Sequence, residues 1–314
     1  MKYTIIITIY NKEKFLEKAI ISACSQNYKN YTVIVVNDGS TDNSEKLILK
    51  LKDRYNFIYY KKRNTGIADT RNYAIKKVKT PYFIFLDADD YIEKDLLQEI
   101  DKYNDYDILS FNALKKDEND NIIKYINKPE YSGSGEEYIR ILIKDNNIFP
   151  VPWGYVFNTN FYRKNKYQFL KGEILEDFEL IPFVIADSKK VTAINYYGYN
   201  YITNSKSITN DVNNYEKVTN TFLKLYKIMF NRIDNSNYNY KTKKDLKIFV
   251  AKTIIWSGHK LNGKAQKEYM KKTKELKALN YANKNVLIRF FSKILYNLNI
   301  YYHIRDLYHK IFKK

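Results

Sequence analysis

Within the first ninety residues, short apolar runs of strand character alternate four times with helical patterns. That alternation restricts the chain to a right-handed, mostly parallel α/β sheet with helices on its faces. Residues 3–9 make the first strand, and Asn11 is placed to cap a helix over 12–26. Phe15, Leu16, Ala19, Ile20 and Ala23 share one face of that helix. Tyr31–Val36 is a continuous β-branched run, followed by the turn Asn37-Asp38-Gly39-Ser40-Thr41-Asp42 and a helix marked by Leu47, Ile48 and Leu51. Phe57–Tyr60 is the third strand. Asn64-Thr65-Gly66 turns into a helix that ends near Val78, and Tyr82–Leu86 is the fourth strand.

The fourth strand carries the chemistry. Phe83-Ile84-Phe85-Leu86 runs straight into Asp87-Ala88-Asp89-Asp90. A fully apolar run suits the interior of a parallel sheet, and ligands of open α/β sheets bind beyond the carboxyl ends of such strands. Two acids one residue apart at that end suit a hard cation. Mg²⁺ and Mn²⁺ prefer oxygen ligands, and Mg²⁺ commonly takes one or two carboxylates plus substrate phosphates. The competing expectation is that Asp89 or Asp90 only caps a helix starting near Ile92.

Neither of the two familiar phosphate-binding patterns is present. The Gly-rich dinucleotide fingerprint and the P-loop are both missing from the sequence. With 54 Lys+Arg against 35 Asp+Glu the formal charge is +19, which favours an anionic partner such as a nucleotide or an acidic membrane surface. A Lys-, Asn-, Ile- and Tyr-rich composition shares the explanation of that excess. No nucleic-acid recognition motif accompanies it. Cys24 is the one cysteine, so no intramolecular disulfide can form and a reducing compartment fits. The apolar start Tyr3–Tyr10 reads as a strand and not a signal peptide, and no stretch has the length of a transmembrane helix.

Further along, Tyr106–Phe111 is a strand. Ile108–Leu114 and Ile122–Ile126 flank a polar turn as in a hairpin. Gly135–Lys144 is a short helix, Pro150–Phe157 is extended around Trp153, and Glu176-Asp177 open a helix that runs to Ala186. Acids suit that first turn, so capping alone could account for the pair. Val191–Ile202 is extended. From about Val212 the chain becomes Lys-rich and helical. Its last segment, Lys284–Lys314, spaces Leu287, Phe291, Ile294, Leu298, Ile304, Leu307 and Ile311 along a basic amphipathic pattern. Such a segment can lie on an anionic bilayer or pack as a helical cap.

Five pieces in order resemble a known family: Thr8-Ile9-Tyr10-Asn11-Lys12-Glu13, Val36 to Asp42, Asn64-Thr65-Gly66 with Arg71-Asn72, Leu86 to Asp90, and Glu176-Asp177. The chain resembles a family 2 inverting glycosyltransferase of GT-A fold, of the bacterial surface-polysaccharide type, over about residues 3–210. The resemblance implies a GT-A domain at 1–210, with a nucleotide-sugar half to about 111 and an acceptor half from about 112. A helical, basic region at 211–314 follows.

It further implies roles. Thr8, Tyr10, Asn11, Asp38, Gly66, Arg71, Asp87 and Ala88 would form the donor-nucleotide site, Asp38 at the base and Asp87 at the ribose. Asp89 would bind Mn²⁺ or Mg²⁺ at the donor diphosphate, and Asp177 would be the catalytic base. The donor would be a UDP-sugar and the acceptor a glycan or lipid-linked saccharide. The expected setting is cytoplasmic, peripheral on the inner face of the cell membrane. Thr8 stands where many members have Pro, and Asn37 where many have Asp. Members often carry an Arg within the stretch matching Tyr197–Ser207; here Lys206 is its only cation and the candidate diphosphate contact. The alternatives are a non-catalytic binding module of the same fold, which the retained acids disfavour, and a sugar-1-phosphate nucleotidyltransferase. The latter would need a Gly-rich loop after the first strand, which Tyr10-Asn11-Lys12-Glu13 does not supply.

Overall fold

The computed structural model describes residues 1–203, 214–281, 296, 301 and 302. The chain forms two compact units, Met1–Asn204 and Ser205–Lys314. The first is α/β. Its opening strands are β1 (Tyr3–Ile9), β2 (Tyr31–Asn37), β3 (Ile58–Lys61) and β4 (Tyr82–Asp87), separated by helices α1 (Leu16–Cys24), α2 (Ser44–Lys52) and α3 (Ile67–Lys77). All four strands run parallel, in the order β3-β2-β1-β4. Every residue of β1 is buried, as are the first five of β4. This explains the near-continuous apolar runs: a strand covered on both faces has no solvated side on which to place polar residues.

The second half of the unit alters the sheet. After β5 (Tyr91–Ile92) and α4 (Leu96–Ile100) come β6 (Ile108–Lys116), β7 (Ile122–Ile126), β8 (Tyr131–Gly133), α5 (Gly135–Lys144), β9 (Tyr155–Asn158), α6 (Thr159–Lys164), α7 (Glu176–Ala186) and β10 (Val191–Ile202). Strand β9 inserts antiparallel between β4 and β6, β6 pairs parallel with β10, and β10 pairs antiparallel with β5. The hairpin read from the sequence is β6–β7. The mostly parallel α/β expectation therefore holds, with antiparallel strands confined to the later half.

One face of the sheet packs on α1 through Leu16, Ala19, Ile20 and Ala23 against Ile5, Ile7, Ile84 and Leu86. The other face is aromatic: Phe83 stacks on Phe157 at 5.3 Å and meets Tyr162 edge-on at 5.2 Å, while Phe85 meets Phe169 at 5.7 Å. Such pairs contribute about 0.5–1.5 kcal/mol each beyond their buried area.

Two local expectations are corrected. Asn11 does not cap α1, which starts at Leu16 after a turn in which Lys12 O accepts from Phe15 N and Leu16 N. Asn11 instead takes a left-handed backbone (φ 51°), and its Oδ1 accepts from Thr41 N at 2.8 Å. The preference of Asn for αL is what permits this. Nor does a helix begin at Ile92. Tyr91–Ile92 is a short strand, α4 starts at Leu96, and neither Asp89 nor Asp90 caps it.

The second unit is helical among its described residues: α8 (Tyr215–Asp234), α9 (Tyr240–Ser257) and α10 (Gly263–Glu275). Met229 and Ile233 of α8 and Leu246, Val250 and Ile254 of α9 are fully buried. The Tyr269 hydroxyl of α10 donates to Ile254 O at 2.9 Å. No helix among the described residues is long and apolar enough to cross a membrane. Lys206 and nearly all of the basic segment 284–314 lie outside the described residues.

Candidate active site

The carboxyl ends of β1, β2 and β4 converge because these strands are adjacent and in register: Thr8 faces Val36 on one side and Asp87 on the other. Thr8 is buried beneath the mouth, Tyr10 and Asn11 are exposed at its rim, and Ala88 is buried. Thr8, Tyr10, Asn11, Asp38, Asp87 and Asp89, six residues expected on the donor side, therefore occur at one end of one sheet, at or just past their strands.

Asp38 organises the turn beyond β2. Its Oδ1 accepts from Thr65 N at 3.1 Å and its Oδ2 from Gly66 N at 3.0 Å, and Lys62 Nζ pairs with it at 2.5 Å. Gly39 (φ 68°) lets the chain pass close: a Cβ there would lie 2.8 Å from Asn64 N. Gly66 has φ 90° with open space beside it, so a side chain is excluded by backbone strain and not by crowding. The Asn64-Thr65-Gly66 turn is thus hung on the Asp38 carboxylate, and Gly66 begins α3 next to it.

At the end of β4 each acid has its own setting. Asp87 accepts from Arg71 Nη2 at 2.9 Å. Asp89 keeps 21% of its side chain exposed and is ion-paired with Lys12. Asp90 is buried. Its Oδ1 accepts from Ile202 N at 2.8 Å and its Oδ2 from the Tyr199 hydroxyl at 2.7 Å. Burial, and then the charges of Asp89 and Asp87, hold the Asp90 carboxyl well above the usual carboxylate range. The same Tyr199 hydroxyl accepts from Asp87 N at 3.1 Å. Trp153 stacks on Tyr199 at 4.5 Å and on Tyr201 at 5.5 Å, forming an aromatic wall behind the acids.

Arg71 ties this acidic end to α7. It is buried, with Nη1 on Glu176 Oε1 at 2.5 Å and Nη2 on Asp87. Burial opposes its charge, but Asp87, Glu176 and Asp177 outweigh that and raise its pKa. Arg71 therefore sits below the mouth with both terminal nitrogens engaged by carboxylates. Next to it, Asn72 Nδ2 donates to Phe169 O at 2.8 Å and its Oδ1 accepts from Phe169 N at 2.9 Å. Arg71-Asn72 thus clamps the segment 169–176 at both ends. That segment closes through Leu175 in a left-handed conformation (φ 65°), which starts α7 with Glu176 and Asp177 in its first turn.

Asp177 keeps partial exposure, and its Oδ1 accepts from its neighbour's Phe178 N at 2.8 Å. Burial, then the adjacent Glu176, push its carboxyl up to about 7, with Arg71 pulling the other way. Glu176 is raised as well, again by burial against the pull of Arg71. A carboxyl poised near neutrality at the start of a helix is suited to taking a proton from a hydroxyl.

Three residues of this constellation escape a reading of the motifs alone. Lys12 lies inside the first motif, but nothing in the spacing points it to Asp89. Tyr199 meets the acids from 112 residues away. Lys128 is buried beside the Trp153 wall, 3.0 Å from Gly154 O and 3.7 Å from the Tyr155 ring, and burial lowers its pKa to about 7.

A divalent ion is expected at Asp89. The donor set is oxygen only, and a cation, the Lys12 ammonium, already stands on that carboxylate, so the residues fit such an ion in charge and hardness. Among the described residues no group of three or more His, Cys, Asp or Glu is arranged to hold a metal alone. The ion would share Asp89 with oxygens brought by a substrate.

Comparison with known proteins agrees with this geometry. Residues 4–170, more than half of the chain, match Glycosyl transferase family 2, and the chain belongs to that family. It is 44% identical over 92 residues to the teichoic acid poly(glycerol phosphate) polymerase of Staphylococcus epidermidis, covering 28% of this chain and 13% of that protein. It is 27% identical over 245 residues to the processive diacylglycerol beta-glycosyltransferase of Mycoplasma genitalium, covering 71% and 70%. The chain spans less than half the length of many of the curated relatives it matches. In fold it is similar to S. aureus TarS 1-349 in complex with UDP-GlcNAc, with a TM-score of 0.76, 18% identity, and coverage of 99% of this chain and 92% of that one.

Proposed function

We propose that this chain is a metal-dependent, inverting glycosyltransferase. It moves a sugar from a UDP-sugar to a hydroxyl of a glycan or lipid-linked acceptor during cell-surface polysaccharide synthesis. What supports this is a pair of carboxylate sites: Asp89 just past β4, partly exposed and paired with the Lys12 ammonium, and Asp177 opening α7 with its pKa raised to about 7, with Arg71 bonded to Asp87 near the first and to Glu176 beside the second. One site matches the departing diphosphate and the other the attacking hydroxyl. The UDP-GlcNAc complex of TarS and the names of the polymerase and of the diacylglycerol transferase support the donor and acceptor classes.

In this mechanism Thr8, Tyr10, Asn11, Asp38, Gly66, Asp87 and Ala88 line the donor nucleotide. Asp89 holds Mn²⁺ or Mg²⁺, which when bound supplies Lewis-acid stabilisation of the charge on the leaving diphosphate. Asp177 removes the acceptor proton as the hydroxyl attacks, and a single displacement inverts the anomeric centre. Arg71 acts as a positioning residue: it fixes Glu176, and through it the start of α7, relative to Asp87. Residues 1–111 serve the donor and about 112–210 the acceptor, with Lys206 as a candidate diphosphate contact. The basic region 211–314 serves peripheral attachment to the inner face of the cell membrane.

Calorimetric titration of the full chain with UDP tests the reading, first with Mn²⁺ and then with EDTA. Binding that requires Mn²⁺, or is strengthened by it, supports the donor site. A folded protein that binds UDP in neither condition would overturn it.

A further inference from the structure

The cation on Asp89 is built in by the fold. Lys12 follows the left-handed Asn11, its N–H donates to Ser44 Oγ at 2.9 Å, and its carbonyl accepts from Phe15 and Leu16. Its backbone is therefore fixed at the end of β1 by contacts that do not involve its side chain. Asp89 is fixed from the other side, between the buried Ala88 and Asp90, the latter held by Ile202 and Tyr199. Two anchored backbones 77 residues apart meet through one ion pair, with 32% and 21% of the side chains exposed. The ammonium is thus within reach of a ligand entering the mouth.

An ammonium and a divalent ion compete for one carboxylate, because each neutralises the same charge. Were Asp89 to take a divalent ion, the Lys12 ammonium would be free to bind the oxygens of an incoming diphosphate. We propose that Lys12 is a second, resident cation of the diphosphate site: it covers Asp89 when no ligand is bound and moves onto the diphosphate of the donor. This rests on the donor-site reading above. It makes Lys12 a phosphate-binding residue for the nucleoside diphosphate, acting as a point charge with a flexible stem. It also predicts that nucleotide binding is retained in part without metal, and that metal binds weakly without nucleotide.

The test compares the wild-type chain with Lys12→Met and Lys12→Arg by calorimetry, using UDP in EDTA and, separately, Mn²⁺ alone. Methionine keeps the stem and leaves the backbone contacts intact, and an unchanged thermal midpoint confirms that each variant folds. Lys12→Met is expected to weaken UDP binding in EDTA by tenfold or more and to tighten binding of Mn²⁺ alone by a similar factor. Lys12→Arg is expected to recover most of the UDP affinity. Equal UDP binding by wild type and Lys12→Met in EDTA would overturn the proposal, and tighter Mn²⁺ binding would not rescue it, because Lys12 would then only cover Asp89. That result, in a wild type that binds UDP with Mn²⁺, leaves the donor site standing. A wild type that binds UDP in neither condition sinks the donor site and this inference with it.

Discussion

Asp89 stands at the end of a strand, in the open mouth, with a lysine ammonium on its carboxylate. Asp177 stands in the first turn of a helix, crowded by Glu176, with the nearest buried cation, Arg71, bonded to Glu176 and Asp87. One acid is in an ion pair with a lysine, and the other is pushed toward neutrality by burial. Environment and not residue type separates the two: an acid in an ion pair suits the exchange of one cation for another, and an acid with a pKa near 7 suits the exchange of a proton.

Asp177→Asn is expected to lower turnover by about 10²–10⁴-fold, the usual contribution of a general base, while UDP binding measured by calorimetry stays within a factor of two or so of wild type. Lost nucleotide binding would place Asp177 on the donor side instead. In the wild type the acceptor-side acid must be ionised to act, so turnover should rise with pH through about 7 and then level off. The stability consequence has the opposite sign. The folded carboxyl holds its proton to a higher pH than the unfolded one, so the folded state loses stability as pH rises from about 4 toward 7. Asp177→Asn should therefore lose less of its thermal midpoint over that window than the wild type does.

A second test is Arg71→Met. Removing one partner from a buried ion pair leaves uncompensated charge, here on both Asp87 and Glu176, and costs about 3–5 kcal/mol. Denaturant unfolding measures that loss. Because Arg71 lowers the pKa of Asp177 and Glu176, the residual activity should also shift its rising limb to higher pH. A variant that is destabilised but keeps the wild-type limb would mean that Arg71 is only structural. Asn72→Ala leaves Phe169 N and O without their partners and should cost about 1–3 kcal/mol. It leaves the ion pairs intact, so the pH limb should stay in place while kcat falls modestly.

The sheet could be read from the sequence because its strands are buried on both faces and appear as unbroken β-branched or aromatic runs, as in Ile5–Ile9, Val33–Val36 and Phe83–Leu86. The acids beyond the second and fourth strands were legible for the same reason, since Val33–Val36 stops one residue short of Asp38 and Phe83–Leu86 stops at Asp87. What the sequence did not reveal depends on partners far along the chain. Asn11 looks like a helix cap until Thr41 takes its side chain. Asp90 looks like a cap until Ile202 and Tyr199 arrive from 112 and 109 residues away. Arg71 lies on a helix whose buried side is indistinguishable, in sequence, from any other face carrying an Arg. Only tertiary contact with Glu176, 105 residues on, defines it. The Lys12–Asp89 pair is of the same kind.

Tyr199 fastens the acidic end of β4 from a strand that arrives only after the entire 93–190 stretch has been laid down. Its phenol touches Asp87 N and Asp90 Oδ2, and its ring is held by Trp153. This separates what has to stay constant from what is free to vary. Loops within that stretch can lengthen or shorten, and as long as β9, Trp153, the start of α7 and β10 return to the same places the acids keep theirs. A lineage could therefore change what this enzyme accepts without rebuilding how it holds its donor.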